Sequence, residues 1–245
     1  QEECLGPLQR PMAASADALL AFCRDAGISS LVFVRHANAA PLAGAPARVD
    51  APHDWKRADQ MRVLTEKGVA QCTAASEWFR TLPLRALLTS PARRASETAM
   101  RMMAQVESED AKCETLFLQM VEGVHPAGMS EKCEELFDTM GYGPLRKFFD
   151  APDGRSAFLD YGRRVAVELE AVAKQLQAGA DGSCLAVFGH AVFLNAIAFE
   201  IALAAGAESA VQDELLDMDL GETEGILLDL TTGRVEHKRV AAAAS

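Results

Sequence analysis

Apolar positions along this chain fall into short blocks that alternate between two periods. Leu31-Val32-Phe33-Val34 is a continuous apolar run, the signature of a strand buried on both faces of a parallel sheet. Residues 85–89 and Leu185-Ala186-Val187-Phe188 repeat it, and Leu116-Phe117-Leu118 is a shorter third strand in chain order. Between these runs the spacing turns helical. A helix is predicted over 15–26, with Leu19, Leu20 and Cys23 on one face and Gly27 as its stop. Thr65 can cap a second helix that carries Val69, Cys72, Ser76 and Phe79 and ends before Pro83. Ser90-Pro91 reads as an N-cap with proline at the first helical position, opening a helix to about Val106. Val165, Leu169, Val172 and Leu176 mark a further helix that ends at Gly179, and an apolar helix covers 191–204. Strand-like segments at 225–230 and 234–240 close the pattern. Strands alternating with helices predict an α/β fold, a three-layer sandwich around a mostly parallel central sheet.

Two stretches break the rhythm. Residues 37–58, rich in Ala, Pro, Asp and Gly, read as a long surface loop. Residues 120–155 scatter Gly and Pro around two short helical pieces, which predicts an inserted cap region at about 120–160 within a single domain spanning 1–245. The aromatic residues Phe137, Tyr142, Phe148, Phe149, Phe158 and Tyr161 are candidates to line a specificity cap, but most of them are expected to form that subdomain's small core.

Composition narrows the partners. A net charge of −11 argues against nucleic acid or an anionic membrane, so an anionic substrate needs a local cationic pocket. No apolar run approaches a membrane span. The six cysteines are scattered without a C-x-x-C pair and read as buried free thiols of a reducing compartment. That predicts an intracellular, cytoplasmic protein. The acidic start Gln1-Glu2-Glu3-Cys4 does not read as a secretory signal, although an already removed targeting peptide is compatible with it.

The chemistry lies at one recurring topological position, just past the carboxyl end of a strand. Arg35 and His36 follow the first strand, and Arg93 and Arg94 lie in the first turn of the helix after the second. Glu122 follows the third, and Gly189-His190 the fourth. Parallel strand ends share one edge, so these side chains are expected to meet in a single pocket. The helix opening at Pro91 adds free N–H groups and a positive dipole end, which favour phosphate. Two histidines, two or three arginines and a carboxylate suit phosphoryl transfer through a histidine nucleophile.

In this order the motifs resemble the histidine phosphatase superfamily, the phosphoglycerate mutase-like group. The matching pieces are Val34-Arg35-His36-Ala37, Asp59 through Leu64-Thr65-Glu66-Lys67-Gly68, Ser90-Pro91-Ala92-Arg93-Arg94-Ala95 and Val187-Phe188-Gly189-His190. Residues 30–105 and 183–200 look closest to the short SixA-like phosphohistidine phosphatases. The resemblance implies His36 as the nucleophile that becomes phosphohistidine. It implies Arg35, Arg94 and His190 as phosphate ligands, with Arg93 the variable neighbour. Met120-Val121-Glu122-Gly123 is the nearest match to the segment bearing the general acid, which makes Glu122 the candidate. Asp59 reads as a residue that orders its loop.

Ala37 stands where the family has glycine, which requires a negative φ there. Asn38-Ala39-Ala40-Pro41 departs from the mutase pattern and from the phytase branch. The implied activity is a metal-independent phosphatase acting on a phosphomonoester or a protein phosphohistidine. The alternatives are a phosphoglycerate mutase-type phosphotransferase and a catalytically weak module that binds a phosphorylated ligand. No cofactor is expected, and no His/Asp/Glu spacing suggests a metal. Asn38 and His125 are possible pocket residues, and His125 reads either as lining the pocket mouth or, more simply, as an exposed loop histidine. His53 reads as an exposed loop residue and His237 as surface.

Overall fold

A computed structural model describes residues 16–42, 57–109, 117–125, 130–176 and 181–240. Helix α1 (Ala16–Asp25) leads into strand β1 (Ile28–Arg35), then α2 (Glu66–Phe79), β2 (Leu84–Thr89), α3 (Arg93–Glu109) and β3 (Phe117–Met120). A 3₁₀ turn (Glu122–Val124), α4 (Glu131–Met140) and α5 (Leu145–Phe149) follow, then α6 (Gly154–Ala173), β4 (Ser183–Gly189) and α7 (Ala191–Ala204). Helix α8 (Ser209–Asp217) and the strands β5 (Gly225–Asp229) and β6 (Val235–Lys238) complete the order.

The six strands form one sheet in the order β3-β2-β4-β1-β5-β6. β3, β2, β4 and β1 are mutually parallel, and β5 runs opposite to both β1 and β6. β4 is inserted between β1 and β2, so the strand ends bearing His36, Ser90 and His190 are neighbours. Alternation along the strands builds two cores. Leu31, Phe33, Leu185 and Val187 face α1, α6 and α7, whereas Val32, Val34, Ala186 and Phe188 face α2 and α3. The sheet is therefore covered on both sides, as the α/β reading requires.

Several expectations shift in detail. Helix α6 begins at Gly154, well before the periodic Val165, because Phe158 and Tyr161 extend its buried face. Helix α8 has no counterpart in the sequence reading. Helix α3 begins at Arg93, since Ser90 Oγ accepts the Ala92 N–H and delays the first turn. The aromatics of the cap region do not form a core of their own. Phe148, Phe158 and Tyr161 are fully buried and join the main core around Phe193 of α7. Cys23, Cys72, Cys133 and Cys184 are buried free thiols, as expected, while Cys4, Cys113 and His53 lie outside the described residues. Among the described residues no helix is long and apolar enough to cross a membrane.

Candidate active site

Backbone hydrogen bonds stitch adjacent strand ends together. His36 N–H donates to Gly189 O at 3.0 Å, Ser90 N–H to Phe188 O at 2.8 Å, and Val121 N–H to Thr89 O at 2.8 Å. Two glycines of the motifs are explained by close approach. A Cβ on Gly189 would stand 2.7 Å from Val124 Cγ1 and 2.9 Å from Leu194 Cδ2. One on Gly68 would stand 2.1 Å from Asn38 O, in the turn where Thr65 Oγ1 caps α2 by accepting the Gly68 N–H. Ala37 takes its place without strain. Among the described residues only Asp153 and Thr223 combine a side chain with positive φ, and Ala37 is fully buried with its N–H donated to Thr98 Oγ1.

Arg94, 4% exposed, is the hub of the site. Its Nε donates to His36 Nε2 at 3.1 Å and its Nη2 reaches His190 Nδ1 at 3.2 Å. The same guanidinium donates to Asp59 O at 2.5 Å and to Asp59 Oδ2 at 2.9 Å. Guanidinium only donates, so these contacts settle the tautomers. His36 carries its proton on Nδ1, given to Ala37 O at 2.8 Å, and its Nε2 lone pair accepts from Arg94 at the cavity wall. His190 carries its proton on Nε2, directed at Ser90 Oγ at 2.9 Å. The two imidazoles meet edge to face at 5.2 Å.

Electrostatics follow this wiring. Burial, with Arg94, Arg35 and Arg62 nearby, pushes the His36 pKa down to about 3, against the weaker pull of the Ala37 carbonyl. Burial and Arg94 also push His190 well below its usual range. Burial works to raise Asp59, but contacts from His125, Arg94 and Arg62 outweigh it and hold the carboxyl well below its ordinary value. His36 is thus a neutral imidazole near neutral pH.

A stability consequence follows. An unfolded histidine takes up its proton near pH 6.5, whereas folded His36 resists protonation down to about 3. The unfolded state therefore binds more protons across that window, and stability falls as pH falls, by up to about 1.4 kcal/mol per pH unit for each such histidine. His190 acts in the same sense. Asp59 adds its own loss below about pH 3.9, where the unfolded carboxyl protonates first. The melting temperature of the ligand-free protein is expected to drop between pH 6.5 and 5, and to drop less in a His36→Phe variant. A flat profile over that window would contradict the neutral-histidine assignment.

Arg35, His36, Arg94 and His190 all line one cavity of about 260 Å³, as the strand-end argument expects. Glu122 does not join them. Glu168 Oε2 accepts the Gly123 N–H at 2.7 Å and fixes the 3₁₀ turn so that Val121, Val124 and His125 are buried and Glu122 faces outward. Asn38 does not line the cavity either. Its Oδ1 accepts the Thr65 hydroxyl at 2.6 Å and its Nδ2 donates to Glu222 at 2.8 Å, so it braces the loop. His125 is buried behind the site, 3.8 Å from Asp59 Oδ2 and 5.3 Å from the His190 ring, instead of at the mouth. Arg93 is exposed and pairs with Glu97. His237 is partly buried, with Nε2 2.7 Å from Glu224, and is not a plain surface residue.

Four participants were not assigned their part from the sequence. Asp59, expected to order its loop, anchors Arg94 by two contacts. Arg62, three residues on, donates to the other Asp59 oxygen and lines the cavity, and that i, i+3 spacing was the available signal. Ser90, a helix cap within a motif in the sequence, here also faces His190 Nε2. Tyr142, one of the aromatics read as lining a cap or filling its core, reaches the cavity and hydrogen-bonds Arg35. The loop before β5 completes this wall. Thr223, fully buried at φ +62, donates its N–H to Arg35 O, and the Arg35 N–H donates to Glu224 O. A β-branched residue there is strained backbone held by its surroundings.

Comparison with known proteins agrees with the fold. The chain aligns with the mycobacterial glucosyl-3-phosphoglycerate phosphatase in complex with VO3 at 16% identity and a TM-score of 0.50, covering 88% of this chain and 100% of that one. The putative phosphohistidine phosphatase SixA from Nakamurella multipartitia aligns at 22% identity and a TM-score of 0.45, over 89% and 97% of the two chains. The phosphoserine phosphatase from Entamoeba histolytica in complex with 3-phosphoglyceric acid aligns at 15% and 0.48, over 88% and 98%. No curated protein sequence matches the chain. The family model of the histidine phosphatase superfamily (branch 1) matches residues 31–202, which include every strand-end residue discussed above: the chain belongs to the histidine phosphatase superfamily.

Proposed function

We propose that the protein is a phosphatase that hydrolyses a small phosphomonoester through a phosphohistidine at His36. The observation carrying this reading is the neutral His36, its Nε2 lone pair held against Arg94 in a cavity lined by three arginines. Arg35 and Arg94 hold the phosphoryl oxygens, and His190, its proton directed at Ser90, braces Arg94 behind them. Nε2 attacks phosphorus, the Nε2–P bond forms, and the bond from phosphorus to the leaving oxygen breaks as that oxygen takes a proton. Water then attacks phosphorus, restoring neutral His36 and releasing inorganic phosphate. The cavity volume of about 260 Å³ favours a compact leaving group over a protein side chain presented on a broad surface. Residues at about 120–160 act as the cap of this one domain.

The proton donor is proposed on the cap. Of the described carboxylates lining the cavity, Asp59 is held ionised by two arginines, which leaves Glu134 and Asp138 on α4. Donation matters most for a poor leaving group. Glu134→Gln or Asp138→Asn is expected to slow an alkyl phosphate roughly 100-fold while slowing p-nitrophenyl phosphate far less. Glu122→Gln, outside the cavity, is expected to shift both by less than about threefold, a small surface effect. Equal loss on both substrates in the α4 variants, or a selective loss in Glu122→Gln, would move the acid elsewhere.

A further inference from the structure

Arg35 is held from two sides, and one of them is the cap. Its Nη1 donates to Leu220 O at 2.7 Å and to the Tyr142 hydroxyl at 3.0 Å. The Tyr142 hydroxyl in turn donates to Asp219 Oδ1 at 2.7 Å, and the Tyr142 ring lies 5.2 Å from the guanidinium carbon. Burial and the Asp219 carboxylate push the Tyr142 pKa up to about 12. The hydroxyl therefore stays protonated, accepting from Arg35 while donating to Asp219. Among the described residues the side-chain hydrogen bonds of Arg35 are those of Nη1, and its Nε is buried without a hydrogen-bond partner. A buried unpaired donor on a charged group is costly unless a ligand satisfies it. Anchoring Nη1 thus leaves the Nε/Nη2 edge, the one suited to two phosphoryl oxygens, for the substrate.

The segment that delivers Tyr142 is built to hold still. Gly141 takes φ +67, where a side chain would be strained, and turns the chain out of α4. The Lys147 ammonium donates to the carbonyls of Met140, Gly141 and Tyr142, closing the turn on itself. Arg146 then pins α5 to α8 through Asp213 and Asp217. Helix α8 leads directly into Asp219 and Leu220, so the tyrosine and its two companions come from segments fastened to each other.

From this geometry we infer that Tyr142, backed by Asp219, is a positioning residue for the catalytic arginine: the cap presets Arg35 for phosphate. The inference rests on Arg35 being a phosphate ligand, as the proposed function holds. Tyr142→Phe keeps the ring over Arg35 and removes only the hydroxyl. Titration calorimetry with inorganic phosphate is expected to show about tenfold weaker binding, the loss of one charge-assisted hydrogen bond. KM for p-nitrophenyl phosphate should rise by a similar factor, with a smaller change in kcat. Asp219→Asn, which keeps an acceptor for the tyrosine, should bind phosphate more tightly than Asp219→Ala. Phosphate affinity and KM within twofold of wild type in Tyr142→Phe, or a loss confined to kcat, would overturn the inference. Calorimetry separates the two readings. Phosphate binding that depends on Tyr142 in a protein forming no phosphohistidine would sink the phosphatase reading alone. A wild-type protein that binds no phosphate would overturn both.

Discussion

Replacing His36 with alanine is expected to reduce hydrolysis of p-nitrophenyl phosphate by roughly 10⁴-fold or more, the scale seen when a nucleophile is removed from a preorganised site. The argument is local. Both imidazoles turn a lone pair toward Arg94, but His190 is buried with its proton at Ser90, whereas His36 is the more accessible of the two in the cavity. With alanine, the arginines still bind the phosphoryl group, so substrate affinity should fall much less than turnover. Circular dichroism should be unchanged, because His36 sits beyond the end of β1 and belongs to neither core. Retention of near wild-type turnover would remove the histidine mechanism.

Arg94→Ala is expected to cost both activity and stability. The guanidinium contacts His36, His190 and Asp59 at once, so its loss removes a proposed phosphate ligand and releases both imidazoles from their orientation. A fall in kcat/KM of roughly 10³-fold is expected, the size of losing one preorganised charge donor. Asp59 would keep Arg62 and its His125 neighbour but lose its closest partner. Breaking a buried pair from one side costs about 3 kcal/mol, read as a lowered urea midpoint. Arg94→Lys should rescue little of the activity, because a single ammonium cannot reproduce four divergent contacts. A lysine variant with wild-type kcat/KM would mean that Arg94 supplies charge alone.

Much of this site was legible in the chain because it depends on strand ends. The apolar runs before Arg35, Ser90 and His190 locate three parallel strands, and parallel strands deliver their C-terminal residues to one edge. Thr65 as a cap and helix 191–204 follow from local rules that tertiary packing did not override. What remained hidden depends on long-range contacts. Glu122 follows its strand as expected, yet the Glu168 contact to Gly123 sets the turn that faces it outward. Nothing local to residues 120–124 encodes that bond. Tyr142 looks like any cap aromatic until the loop before β5 brings Asp219 and Leu220 beside Arg35. The tightness of Gly68 and Gly189 likewise depends on segments far away in sequence.

The central claim is a covalent bond between phosphorus and Nε2 of His36. Rapid acid-free quenching of the protein with a radiolabelled phosphomonoester, followed by peptide mapping, tests it directly. The account predicts one labelled peptide containing His36, with label lost in acid and kept in alkali, and no labelling of the His36→Ala variant. Label on any other residue, or a phosphoenzyme stable to acid, would contradict it.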